Sequence, residues 1–314
     1  MLLSIVIVSW NTRDLLDACL ASVAVELTDT FGGLDKGRVF VVDNASADGS
    51  SAMVAQKYPW VTLIANPDNR GFAAGNNQAF TIIIKEPVSD GSNASPASPG
   101  AEEFVLMLNP DTEVKVGALK TLIDFFADHP KAAVVAPQLL NTDGSIQRSC
   151  RQFPTFIGML YELIGLSRMF PASSPRGIKF REYKMLDWNH DDERQVDQPE
   201  GACLMIKRSV LEKVGTLDEG FFMLFEEVDW CYRVKKAGWE IWFTPRAQVV
   251  HHYGQSIKQV KVAMILSSHR GLYRFWHKHY RGGRWWLDGF AYLGLMALAY
   301  VRIASYRLKA LLAP

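Results

Sequence analysis

Over the first third of the chain, short runs of β-branched and aliphatic residues alternate with stretches whose apolar positions recur at helical spacing. Residues 3–9, 39–43 and 61–65 read as strands, and helices are predicted after Asn11 and after Ser50. Residues 104–108 and 132–136 continue the strand series, separated by a helix over 117–128. Parallel neighbours need a crossover that covers the sheet face, so this alternation predicts βαβ units and an α/β fold on a mainly parallel sheet. Asp143-Gly144 marks a hairpin turn, where glycine tolerates positive φ. The pattern is irregular over 153–195. It returns with a strand at 202–206, helices at 209–214 and 226–237, and strands at 241–243 and 248–250, a more antiparallel half of the same sheet. Residues 87–100 are rich in Ser, Pro, Gly and Asn and predict a flexible surface insertion. Beyond Gly254 the chain changes to helices rich in basic and aromatic residues, which divides it into an α/β domain over 1–256 and a helical segment over 257–314.

Composition narrows the function class. With 34 basic and 33 acidic residues, the chain has no overall positive field of the kind that holds nucleic acid. The four cysteines, Cys19, Cys150, Cys203 and Cys231, form no CxxC pair, which fits a reducing cytosol better than a zinc knuckle or a disulfide framework. The apolar first ten residues lack a basic leader and a small-residue cleavage site, so they are read as a strand, and the protein is expected on the cytoplasmic side.

In an open α/β sheet, ligands bind beyond the carboxyl ends of the strands, so the polar residues closing each apolar run are the first candidates. Asp43 suits a ribose or base contact and equally suits capping of the next segment. The first strand is followed by Asn11-Thr12-Arg13-Asp14 and not by a glycine-rich turn, which argues against a dinucleotide enzyme. Asp111, in Asn109-Pro110-Asp111, offers hard oxygen for Mg²⁺ or Mn²⁺ at a donor diphosphate, although the same triplet is also an ordinary turn. Glu226-Glu227-Val228-Asp229 opens a helix after the aromatic run 221–225. Its acids serve either the helix dipole or general base catalysis. His251 and His252 end a strand and could ligate a metal or donate to phosphate.

Together these residues resemble a family 2 glycosyltransferase of GT-A fold, in particular the bacterial rhamnosyltransferase-like branch. The resemblance runs from Leu3 to about Tyr280 on motifs in the expected order. They are Val8-Ser9-Trp10-Asn11; Val42-Asp43-Asn44-Ala45-Ser46 with Asp48-Gly49-Ser50; and Asn69-Arg70-Gly71-Phe72-Ala73 with Asn76-Asn77. Leu108-Asn109-Pro110-Asp111, Gly201-Ala202, Phe221-Phe222-Met223 with the acidic cluster, and His251-His252-Tyr253-Gly254-Gln255-Ser256 complete the set. The resemblance implies a nucleotide-sugar donor held by Ser9, Asn11, Asp43 and Asn109, with Asn69, Gly71, Phe72 and Asn76 in a loop closing over it. It implies a metal on Asp111 and His251, and Gly201, Ala202, Phe222 and Asp229 on the acceptor side. Glu227 falls at the position of the base, with Glu226 as its competitor, and the reaction is a single displacement that inverts the anomeric carbon. Asn109 stands where many members of the family have Asp, and Glu227 where Asp is commoner.

Within that resemblance the expected reaction is transfer of rhamnose from dTDP-rhamnose to a cell-surface or lipid-linked glycan. Galactofuranose or a UDP-hexose is the alternative sugar, and a non-catalytic nucleotide-sugar-binding scaffold the alternative class. Residues 285–301, about 17 mostly apolar residues, are at the short limit for a bilayer span and are flanked by basic residues at both ends. Peripheral membrane contact through 285–312, at the inner face of the cell membrane, is therefore expected, against packing on the catalytic domain or a homo-oligomer interface.

Overall fold

Aliphatic runs with strand propensity nucleate the sheet, and in the computed structural model they assemble in the order the pattern predicts. The structure describes residues 2–86, 102–155, 181–252, 259–282, 286 and 288–312. The expected insertion at 87–100 and the motif at 253–256 lie outside the described residues, as does most of the irregular region at 153–195.

The first half comprises β1 (Leu2–Ser9), α1 (Arg13–Val25), β2 (Gly37–Asp43), α2 (Ser50–Lys57), β3 (Thr62–Ala65), α3 (Gly71–Lys85), β4 (Glu103–Leu108), β5 (Thr112–Val114), α4 (Ala118–Asp128) and β6 (Ala132–Leu140). The second half comprises β7 (Cys150–Arg151), β8 (Arg194–Gln195), β9 (Gln198–Pro199), β10 (Cys203–Lys207), α5 (Arg208–Val214), α6 (Glu226–Lys236), β11 (Glu240–His251), α7 (Lys261–His279) and α8 (Asp288–Leu312). The main sheet runs β3-β2-β1-β4-β10-β6-β11-β5, with β8 beside β11. β1, β2, β3 and β4 are parallel to one another, as are β6 and β11. β10 is antiparallel to both its neighbours, which makes the sheet mixed and mainly parallel. One core lies between the sheet and α1, α2 and α4, and a second between the opposite face and α3, α5 and α6.

Two elements differ from expectation. The strands expected at 241–243 and 248–250 are one strand, β11, whose register shifts between Thr244 and Gln248 around Pro245, a residue with no N–H for the ladder. The segment expected as a donor-closing loop is largely helix α3, so Gly71, Phe72 and Asn76 lie on a helix and only Asn69 precedes it. Apolar residues from Phe72 to Ile83 recur at helical spacing and bury one face on β1 and β2, and that periodicity outweighs the loop-like Asn-Arg-Gly start.

Candidate functional site

The carboxyl ends of β1, β2 and β4 converge on one edge. Ser9 is in register with Asp43, and Asn44 donates its amide to the Ser9 carbonyl at 2.9 Å. Asn11 turns the chain at φ 51°. Its side-chain oxygen accepts from Ala47 N–H at 2.7 Å and its own N–H donates to Ser46 Oγ at 2.9 Å. The Ser9 hydroxyl bonds that of Thr12 at 3.0 Å. Both residues thus brace the first turn against the β2–α2 loop. Beside that turn lies a cavity of about 600 Å³ lined by residues 11–15, Asp48 and Gln259. Asp43 Oδ2 accepts from Ser46 N–H at 3.0 Å and from the Ser51 hydroxyl at 2.8 Å. Asp43 therefore caps the following loop with one oxygen, while its other oxygen, Oδ1, is buried without a partner among the described residues.

Asn69 Oδ1 accepts from Gly71 N–H at 3.0 Å, and Asn44 Nδ2 donates to the Gly71 carbonyl at 3.0 Å. Gly71 stands at φ +84° with its Cα against Phe222, whose carbonyl accepts from Phe72 N–H at 2.8 Å. Asn77 bonds the Leu217 backbone in both directions. These contacts zip the start of α3 to the segment leading into α6. Asn76 Nδ2 donates back to the Phe72 carbonyl at 2.9 Å, while its Oδ1 is buried and unpartnered among the described residues. Asn109 Oδ1 is likewise unpartnered, and its N–H donates to the Ala202 carbonyl at 2.8 Å.

Across the same edge, β5 pairs with the end of β11 so that His251 lies opposite Thr112, and His252 N–H donates to the Asp111 carbonyl at 2.9 Å. Asp111 Oδ1 and His251 Nε2 are 3.4 Å apart, and both side chains are buried. Gln147 clamps the imidazole, donating Nε2–H to the His251 carbonyl at 2.6 Å while its Oε1 meets Nδ1 at 3.1 Å. An amide oxygen only accepts, so in this hydrogen bond Nδ1 carries a proton, and Nε2 faces the carboxylate. A carboxylate and an imidazole side by side are ligand types that suit a shared divalent cation. No cluster of three or more ligating side chains occurs among the described residues. Further ligands would therefore come from substrate phosphate and water, the usual situation for Mg²⁺ and close to it for Mn²⁺.

Glu227 sits next to this pair through Glu200. Burial raises the Glu200 carboxyl above its ordinary range and Asp111 adds to the rise, with His251 and Arg151 opposing. Burial likewise raises Glu227, the Glu200 charge adds to it and Arg151 opposes. Its Oε2 is buried without a partner among the described residues. A Cβ on Gly201 would stand 3.3 Å from Glu227 Cγ, so the glycine leaves the room the carboxyl occupies. Glu226 is pushed up further, by burial and then by Glu227 itself. Leu224 and Phe225, just before, hold φ of 72° and 78°. Adjacent positive φ at residues with side chains is local strain of the kind that collects at working sites.

Phe222 is exposed beside a groove of about 350 Å³ formed by residues 220–224 and α7 residues including Ala263, Met264, Leu266 and Arg270. Asp229, expected on the acceptor side, is enclosed by Arg233 at 2.9 Å, Lys278 at 2.8 Å and His279 at 2.7 Å. Burial alone would raise it, but His279, Lys278 and Arg233 outweigh burial and hold it below the ordinary carboxylate range. Its carboxylate thus anchors α6 to α7. Glu200, Gln147 and Arg151 escaped the sequence reading. Only Glu200 left a signal there, as an acid immediately before Gly201-Ala202.

The comparisons with known proteins bear on the family and the fold. The chain is 30% identical over 250 residues to the N-acetylglucosaminyl-diphospho-decaprenol L-rhamnosyltransferase of Mycobacterium tuberculosis, covering 79% of this chain and 76% of that one. Among solved structures it resembles the mannosyltransferase PcManGT from Pyrobaculum calidifontis in complex with GDP-Man and Mn²⁺. That match has a TM-score of 0.54 at 17% identity over 98% of this chain and 80% of that one. It also resembles GalNAc-T7 with UDP, GalNAc and Mn²⁺, with a TM-score of 0.52 at 15% identity over 79% of this chain and 42% of that one. These likenesses establish the GT-A architecture. The model described as "Glycosyltransferase like family 2" matches residues 2–264, from the first strand into α7, and the chain belongs to that family.

Proposed function

We propose that the protein is an inverting glycosyltransferase that transfers L-rhamnose from dTDP-rhamnose to a lipid-diphosphate-linked N-acetylglucosamine acceptor on the cytoplasmic side of the membrane. The observation that carries the reading is Glu227, a buried carboxylate with an unpartnered oxygen, set against Gly201 and coupled through Glu200 to the Asp111–His251 pair. The similarity to the mycobacterial enzyme supports the sugar and acceptor class.

On this reading Asp43 Oδ1 receives a ribose hydroxyl or base N–H of the donor, and Asn76 and Asn109 offer their unpartnered oxygens to other donors on the nucleotide-sugar. Ser9, Asn11, Asn69, Gly71 and Phe72 shape the donor cradle through the backbone contacts described. Asp111 and His251 would hold Mg²⁺ or Mn²⁺, whose chemistry is to neutralise the diphosphate charge that grows as the nucleotide leaves. Glu227 takes the proton of the acceptor hydroxyl. That oxygen attacks the anomeric carbon on the face opposite the nucleotide, and the bond to the diphosphate breaks with its electron pair going to the leaving group. Gly201, Ala202 and Phe222 border the acceptor, whose lipid chain suits the apolar groove at 220–224.

Glu227 is favoured over Glu226 because Glu227 answers to Glu200 and Arg151, whereas the charge that acts on Glu226 among the described residues is that of Glu227. A panel of nucleotide-sugars with the purified protein, Mn²⁺ and a short-chain lipid-diphosphate acceptor tests the proposal. Only dTDP-rhamnose should turn over efficiently, and Glu227→Gln should lower kcat by about a hundredfold or more with donor affinity retained. Full activity in Glu227→Gln with loss in Glu226→Gln would reverse the assignment of the base.

A further inference from the structure

Helix α8 packs on α7 by one narrow stripe. Leu295 and Met296 meet Leu272, while Ala299 and Ile303 meet Ile265, so the two helices run antiparallel. The opposite side is bare. Phe290, Leu293, Tyr300, Val301, Leu308 and Leu311 are all exposed, and their positions fall within an arc of roughly 100° on a 3.6-residue helix. Ala297 and Ala304 fill the gaps in that arc. Arg307 lies to one side of the stripe and Arg302 and Lys309 to the other, and no acid follows Asp288 on this helix. By length and composition alone α8 could cross a bilayer.

We infer that α8 lies in the plane of an anionic lipid surface, its outer stripe in the acyl boundary and its basic residues at the headgroups. A spanning orientation conflicts with the packing, because it would carry α7, with Arg270, Arg274 and Lys278 beside the hairpin, into hydrocarbon. Self-pairing of the stripe would bring the basic flanks of two copies together, and the acid of α8, Asp288, is already engaged by His277 and Arg281. A lipid surface with negative headgroups satisfies both the apolar stripe and the charge. α7 also lines the groove at 220–224, so seating α8 at the headgroup level brings the proposed acceptor groove next to the membrane.

The test is flotation of the full chain with vesicles of equal parts phosphatidylglycerol and phosphatidylcholine, with phosphatidylcholine alone, and without lipid. The wild-type protein should float with the anionic vesicles and be released by alkaline carbonate. The triple variant Phe290→Ser, Leu293→Ser, Val301→Ser should lose partition on the order of a hundredfold. Its kcat/KM on a detergent-soluble short-chain acceptor should be unchanged, which separates membrane docking from folding and from the proposed reaction. Equal flotation of the variant overturns the inference. Resistance to carbonate would mean a spanning helix. A lipid-independent dimer in light scattering, abolished by the same substitutions, would assign the stripe to a second copy.

Discussion

Replacing Gly71 by alanine should disturb the site without touching an ionisable group. Gly71 lies at φ +84°, and a Cβ there would come within 2.8 Å of the Phe222 ring and closer still to its carbonyl oxygen. The left-handed conformation costs about 1–2 kcal/mol for alanine, and relieving an overpacked contact against backbone costs about 1–3 kcal/mol. Moving Phe222 away also lengthens the 2.8 Å bond from Phe72 N–H, for a further ~1 kcal/mol. The sum, about 3–6 kcal/mol, predicts a fall in Tm on the order of 10 °C. Gly117→Ala separates the parts, since Gly117 has φ +82° but nothing within 4 Å of the new Cβ. It should show only the backbone cost, about 1–2 kcal/mol. Because Phe222 leads directly to Glu227, Gly71→Ala should also lower kcat by about tenfold to a hundredfold. Differential scanning fluorimetry and steady-state kinetics on both variants provide the check. Equal Tm losses in the two, with kcat intact in Gly71→Ala, would mean that the Gly71–Phe222 contact does not hold the base.

Two further outcomes follow from the buried acids. Glu227 has a folded-state pKa above its unfolded value, so the native state favours its protonated form. Stability is then full below the ordinary glutamate range and falls as pH rises through the raised value. The Tm advantage of Glu227→Gln over wild type should therefore be small at pH 4 and grow toward pH 8, while the acid limb of wild-type kcat/KM should lie above the ordinary glutamate pKa. An advantage that shrinks with pH, or an acid limb at the ordinary value, contradicts the burial argument. Gly201→Ala adds a Cβ at 3.3 Å from Glu227 Cγ, a fit the side chain can absorb by a shift of a few tenths of an ångström. It should cost about 1 kcal/mol in stability yet lower kcat by at least about tenfold, with KM for the donor unchanged. A raised donor KM with normal kcat would move Gly201 from the acceptor side to the donor side.

The strand-end half of the site was legible because a parallel sheet fixes it. Ser9, Asp43, Asp111 and His251 each close an apolar run, and the sheet brings such ends to one edge whatever the loops do. Less regular parts were hidden for physical reasons. Gln147, Arg151 and Glu200 come from strands of two residues or their flanks, too short to show any period. Glu226 and Glu227 are adjacent in a first helical turn, and they are told apart only by residues distant in sequence, Gly201 against the Glu227 side chain and the Glu200 and Arg151 charges that act on it. Asp229 reads like a site acid until Lys278 and His279, some fifty residues on, are folded against it. The apolar stretch expected to end at 301 continues as helix to Leu312. Arg302, Arg307 and Lys309 dilute the hydropathy while standing off the apolar stripe.

That division between legible and hidden residues coincides with a mechanical one. Asp43 and His251 end strands and Asp111 lies in the short turn that joins β4 to β5, with the core directly beneath them, so their positions are tied to the sheet. Glu227 hangs on the segment 217–229, whose supports are side-chain and backbone contacts from two other places. Asn77 and Gly71 hold it from α3, and Ser267, Lys278 and His279 hold it from α7. The α3 supports adjoin the proposed donor cradle, and α7 carries the stripe on which α8 packs. A displacement of either helix would therefore reach Glu227 through contacts of about 3 Å, whereas the strand ends rest on the sheet itself. On the proposed reading, in which a water-soluble donor meets a lipid-borne acceptor, Glu227 is positioned by the supports of both substrates and by the sheet only indirectly.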